Sequence, residues 1–148
     1  MHRLNCHNAI KQVRRSYQTA LQTVNVLMGI VIERPEYLYD HNLSLTDLRA
    51  LAEGLQDIYF ARMFACFESS LRHYWRAKIK NSKPLTHQLL SSIAGRFGVP
   101  QDILDAVQEI RDFRNYLIHE EHEIERRFTI EEASGHLNSY LARLPLEW

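Results

Sequence analysis

Apolar residues recur at three- and four-residue steps along nearly the whole chain, and no clean period-two alternation is present. That periodicity predicts helices throughout. The first runs from about Asn5 to about Glu33, where Ile10, Val13, Tyr17, Ala20, Leu21, Val24, Leu27, Met28 and Val31 form one apolar stripe. Pro35 ends it, because proline biases the residue before it away from helical conformation. A loop is expected from Pro35 to Leu43. Ser44 or Thr46 then caps a long second helix reaching about Lys80, with Asp47 in its first turn. The stripe of this helix is aromatic: Ile58, Phe60, Phe64, Phe67, Leu71, Tyr74 and Trp75. Gly54 lies inside it at a cost of about 1 kcal/mol relative to alanine, which suits a local bend or a close helix contact.

Asn81-Ser82-Lys83-Pro84 breaks the pattern, and Thr86 starts a short third helix ending near Phe97, with Gly98 as its C-cap. Pro100 suits the opening of a fourth helix, where a missing N–H costs nothing. That helix carries Ile103, Leu104, Val107, Ile110, Phe113, Leu117 and Ile118 on its stripe and is expected to end near Glu123. Thr129 and Glu132 have capping-box spacing, and the fifth helix runs from there to about Leu144, stopping at Pro145. The prediction is therefore a single all-α domain over residues 1–148, an antiparallel bundle of about five helices.

Composition narrows the partners. Lys+Arg and Asp+Glu are equal at 18 each, so no global field steers the chain to nucleic acid or membrane, and RNA binding would need a local patch. Cys6 and Cys66 are far apart and lack metal-like spacing, which suits a reducing compartment. The apolar stretch Val24 to Ile32 is too short to span a bilayer, and the first residues do not resemble a signal peptide. A cytoplasmic protein is expected.

The chemistry-bearing candidates begin with arginine–histidine pairs separated by four to six residues. Roughly two such pairs are expected by chance among fourteen arginines and eight histidines, and two occur. Arg34 to His41 crosses Pro35 into a loop. Arg114 to His119 lies within a helix, Asn115 follows the arginine directly, and Asn115 and His119 are four apart on one face. Arg114 also falls on the apolar stripe, four after Ile110 and three before Leu117. A charge there must be paired, sit at an interface or face a cleft, or else snorkel from the stripe's edge. Glu68 is similarly placed, four after Phe64 and three before Leu71. It either pairs with Arg72 at i+4 or reaches across the bundle to orient Arg114 or His119.

Arg114-Asn115-Tyr116-Leu117-Ile118-His119 resembles the Arg-Asn-x-x-x-His form of the motif of HEPN domains (higher eukaryotes and prokaryotes nucleotide-binding). The preceding Glu109 to Phe113 and the following Glu120 fit it too, and Phe64 to Arg72 is similar to the HEPN helix that carries an inward acidic residue. The resemblance implies a metal-independent endoribonuclease of a toxin–antitoxin or phage-defence system, without a cofactor, acting as a homodimer in which two motifs face one composite cleft. His119 and Arg114 would then be catalytic, Asn115 positioning and Glu68 supporting. A second possibility is a catalytically silent HEPN-like bundle serving as a protein- or nucleotide-binding or assembly module. The residue types suit RNA, whose 2′-OH is the nucleophile. Histidine titrates near neutrality, at about 6.5 when unperturbed, and arginine offers phosphate a permanently charged planar fork. The product would carry a 2′,3′-cyclic phosphate. Some HEPN toxins place a modifiable tyrosine two residues after the histidine; here that position is Glu121, so an antitoxin would act by another route.

The remaining candidates are less pointed. His119-Glu120-Glu121-His122 departs from His-Glu-x-x-His, no Glu-x-x-His pair exists, and His2 and Cys6 lie at a terminus; no metal site is expected. Arg72, Arg76, Lys78, Lys80 and Lys83 form a basic run at the end of the second helix. This is a solvated helix end or a phosphate track, with Arg72, Arg76 and Arg111 the residues that would contact RNA. Arg126 and Arg127 add cations in a region crowded by Glu120, Glu121, Glu123 and Glu125.

Overall fold

Helix boundaries fall where the capping chemistry puts them. The computed structural model describes residues 3–119, 124 and 126–147. Among these it contains α1 (Arg3–Glu33), α2 (Glu36–Asp40), α3 (Leu45–Lys78), α4 (Thr86–Phe97), α5 (Gln101–His119) and α6 (Ile130–Ala142), with no strand. At the start of α3, the Ser44 hydroxyl accepts from the Asp47 N–H at 3.4 Å. Gly98 closes α4 with φ 60°, a left-handed conformation in which glycine avoids the Cβ penalty. At α6 the capping box is complete: the Glu132 N–H reaches the Thr129 hydroxyl at 3.2 Å and the Thr129 N–H reaches the Glu132 carboxylate at 2.9 Å.

Three expectations change. The loop after Pro35 contains the five-residue helix α2, so there are six helices among the described residues. Gly54 marks no close contact, because a Cβ added there would meet nothing within 4 Å, and it does not interrupt α3. Ile58 and Ile118, placed on buried stripes by spacing, are both exposed. The expected end of α5 near Glu123 lies outside the described residues.

Four helices run up and down. Tyr17 stacks against Tyr59, their ring centroids 5.9 Å apart, and Cys6 meets Ser70, so α1 and α3 are antiparallel. Tyr74 against Phe97 brings the end of α4 to the end of α3, and α5 returns to set Phe113 edge-on to Phe60 at 4.7 Å. His7 bonds Asn138 at 2.8 Å while Arg3 donates to the carbonyls of Ala142 and Leu144, which lays α6 antiparallel to α1. The core lies between these helices around Phe60, Phe64, Phe67, Phe113, Phe128 and Tyr140. Tyr140 is fully buried, so its hydroxyl must be satisfied; it donates to the Leu90 carbonyl at 2.7 Å and ties α6 to α4.

The halves of α1 and α3 beyond Tyr17 and Tyr59 leave this core. Val24, Val31, Leu48 and Leu55 are buried between the two helices but belong to no wider cluster. With α2 they make an arm of two antiparallel helices extending roughly 20 Å, at 1.5 Å per residue. No helix among the described residues is long and apolar enough to cross a membrane.

Candidate functional site

Arg114 lies one residue past Phe113, whose ring is locked between Phe60 and Phe128. That packing fixes the backbone of α5 and forces the arginine stem along the edge of the core. Arg114 is half-buried; its Nε is shielded from solvent without a hydrogen-bond partner, while one terminal nitrogen donates to the Asn115 amide oxygen at 3.0 Å. No carboxylate pairs with it among the described residues. Asn115 is offset by about 100° around the helix from Arg114 and by only about 40° from His119. The Asn115 bond therefore turns the guanidinium toward the face that His119 occupies.

His119 is the last residue of α5 and is exposed. Its ring makes no hydrogen bond to the described residues, so nothing there fixes its tautomer. It sits six residues past Phe113, about 9 Å along the axis, which sets it near the turn of α3 where the arm leaves the bundle. Ile118 beside it is 47% exposed.

Glu68 is not at this place. Its Oε1 accepts from Arg72 Nε at 3.0 Å, from Arg72 Nη2 at 2.7 Å and from the Thr86 hydroxyl at 2.7 Å. It lies eight residues from Phe60 toward the other end of α3, so it and His119 are about 20 Å apart along the bundle. Within one chain that exceeds the combined reach of the two side chains. Of the two outcomes for Glu68, the pair with Arg72 is the one observed, and it joins α3 to the start of α4.

The basic candidates also separate. Arg72 is engaged by Glu68 and donates to the Pro84 carbonyl at 3.0 Å. Arg76 is exposed and spends only its Nε, on the Arg72 carbonyl at 3.3 Å. Arg111 is paired with its neighbour Asp112 and bonded to Gln108, so its charge is largely compensated. Arg126 pairs with Glu132 and lies over the Phe128 ring at 4.7 Å, while Arg127 lies 5.9 Å over Phe113. Arg34 and His41, the other spaced pair, are exposed, and His41 stacks on Tyr37 at 4.1 Å. The segment His119-Glu120-Glu121-His122 falls mostly outside the described residues, as does His2. Trp75, Ser82 and Thr86 carried no functional expectation, yet they line a cavity with Arg72, Arg76 and Lys83; a basic helix end running into a serine–proline break was the signal available for it.

Arg114 and Asn115 thus form a bonded pair of which Asn115 shares the face of His119 while Arg114 lies about 140° from it around the helix, and Glu68 stands apart from both. No known protein-family model matches the chain, and no curated protein or solved structure matches it.

Proposed function

We propose that the chain is a metal-independent endoribonuclease of HEPN type, with His119 and Arg114 as its catalytic residues and Asn115 as the positioning residue. The observation that carries this is the state of Arg114. Among the described residues a half-buried guanidinium is held by a neutral amide and by no acid, which leaves its charge to meet phosphate. An arginine kept only for structure would gain from a carboxylate partner.

In the proposed reaction the 2′-oxygen of the substrate attacks the adjacent phosphorus. The bond from phosphorus to the 5′-oxygen breaks, leaving a 2′,3′-cyclic phosphate. An imidazole takes the 2′-OH proton and an imidazolium supplies one to the departing 5′-oxygen. Arg114 stabilises the charge developing on the phosphate oxygens. One histidine has one proton to exchange, so a homodimer presenting two His119 side chains to one cleft supplies acid and base together. The exposed Ile118, next to His119, is a side chain such an interface would cover. A place in a cytoplasmic toxin or defence system, with an antitoxin protein, accords with this chemistry.

One observation favours the alternative, a silent binding or assembly module. His119 has no orienting partner among the described residues, and the acidic residue expected to supply one is committed to Arg72. Cleavage of single-stranded RNA in EDTA separates the two. Wild type is expected to cut, leaving cyclic-phosphate ends, while His119→Ala and Arg114→Ala lose about two to four orders of magnitude in rate, the usual worth of a proton-transfer group. An inert wild type, or variants that cut equally well, would leave the binding module as the function.

A further inference from the structure

We infer that the cavity between the end of α3 and the start of α4 is a binding site for a phosphorylated nucleoside, a mononucleotide, separate from the Arg114–His119 end of the molecule. The cavity is about 380 Å³, within the range of small-molecule sites. Arg72, Arg76 and Lys83 line it, with Trp75 and Leu89 as apolar wall and the Ser82 and Thr86 hydroxyls between.

Its walls are already in place. The Trp75 indole N–H donates to the Ser82 hydroxyl at 3.0 Å. The Lys80 N–H closes on the Trp75 carbonyl at 3.0 Å, and the Ser82 N–H on the Lys80 carbonyl at 2.9 Å. Arg72 holds the Pro84 carbonyl from the other side. The connection that carries Lys83 is therefore tied to α3 at several points, and little ordering entropy remains to oppose binding.

Charge sets the ligand's sign. Three cations border the cavity, and the acid bonded into its wall is Glu68, which compensates Arg72. Among the described residues both terminal nitrogens of Arg76 are without partners, and neither it nor Lys83 has a carboxylate partner. Compensation of the helix dipole accounts for cations on the last turn of α3, but Lys83 lies beyond the helix and its place on the cavity is set by the connection. A guanidinium fork, an ammonium and the Ser82 hydroxyl, which accepts from Trp75 and keeps its own proton to give, are the donor set for a phosphate, while the Thr86 hydroxyl is spent on Glu68.

Shape sets the rest of the ligand. Phosphate alone would leave most of the volume and the indole wall unused. A flat aromatic body beside Trp75 and Leu89 uses both, since every base has a π-face that an indole can stack on. Arg76 lies sixteen residues from Phe60 along α3, so the cavity and His119 are about 30 Å apart along the bundle. The site stands whether or not the chain cleaves RNA.

Calorimetric titration of the full chain with AMP, adenosine and inorganic phosphate tests it. AMP is expected to give a saturable isotherm, with adenosine and phosphate each weaker by about tenfold or more. Arg76→Gln combined with Lys83→Gln should weaken AMP by about tenfold or more, whereas Lys80→Gln, which removes a nearby charge outside the cavity, should leave it unchanged. If the double variant melts early, the single Lys83→Gln change, at an exposed position, carries the comparison. The site is refuted if AMP gives no saturable heat up to ~10 mM, if phosphate binds as well as AMP, or if Lys80→Gln costs as much as the cavity variants.

Discussion

At Arg114 stability and chemistry pull in opposite directions. Shielding its Nε from water without a partner costs about 1–3 kcal/mol, because the group loses hydration and gains nothing in return. Methionine matches the aliphatic stem, can follow the same edge of the core, and has no polar atom to desolvate. Arg114→Met should therefore raise the unfolding free energy, by about 1 kcal/mol, while abolishing RNA cleavage. Urea unfolding alongside an activity assay measures both. A loss of stability in this variant would mean that the guanidinium serves the fold. Spacing placed the arginine on the apolar stripe, and that expectation came directly from Ile110 and Leu117. What spacing could not supply was the partner: an amide one residue away, where a carboxylate was equally open. The same limit governed Glu68. Its anomaly was legible from Phe64 and Leu71, but Thr86, eighteen residues on, was what committed it to the α3–α4 junction.

At the scale of elements, the capping residues did most of the work. Ser44, Gly98, Thr129 and Glu132 carry their signals in local chemistry, and three helix ends follow from them. The helix α2 was missed because five residues, Glu36 to Asp40, are too few to display a 3.6-residue period. The α6 cap also predicts an acid response. The Thr129 backbone N–H, then its hydroxyl, then Arg126 hold the Glu132 carboxyl below its ordinary value of 4.5. A depressed carboxyl contributes stability above its unfolded pKa and loses it as pH falls through the folded value. The wild type should thus exceed Glu132→Gln in stability at neutral pH, and the gap should close on the acid side of 4.5. Denaturant midpoints across that range check it. A gap independent of pH would show that the charge of Glu132 contributes nothing to the cap.

At the scale of the whole molecule, the bundle and its arm leave apolar surface in water. Val26, Ile32, Leu51 and Ile58 are exposed on the arm, and Ile118 is exposed where the arm meets α5. Isolated exposed leucines and isoleucines are ordinary, whereas a contiguous patch of them would serve as an interaction surface. If two motifs share one cleft, an Ile118→Glu chain should elute at its single mass of 17.5 kDa where the wild type elutes at twice that. It should lose cleavage together with the dimer and keep its helical spectrum. A variant that stays dimeric and active would exclude Ile118 from the interface.

Local chemistry was enough to set the class of the fold, three of its helix ends and the placement of Arg114 and Phe113 toward the core, because period and capping are properties of neighbouring residues. Pairing across helices was not local. Which way Ile58 and Ile118 faced depended on whether a second helix lay over them, and the arm has none to spare. Only the tertiary structure could set Glu68 apart from α5, committing it to Arg72 and Thr86 beside the Arg72–Lys83 cavity and away from Arg114 and His119. The physical reason is length. Helices of 19 and 34 residues carry side chains tens of ångströms apart, and a stripe pattern records the face a residue occupies without recording which level of the next helix it meets.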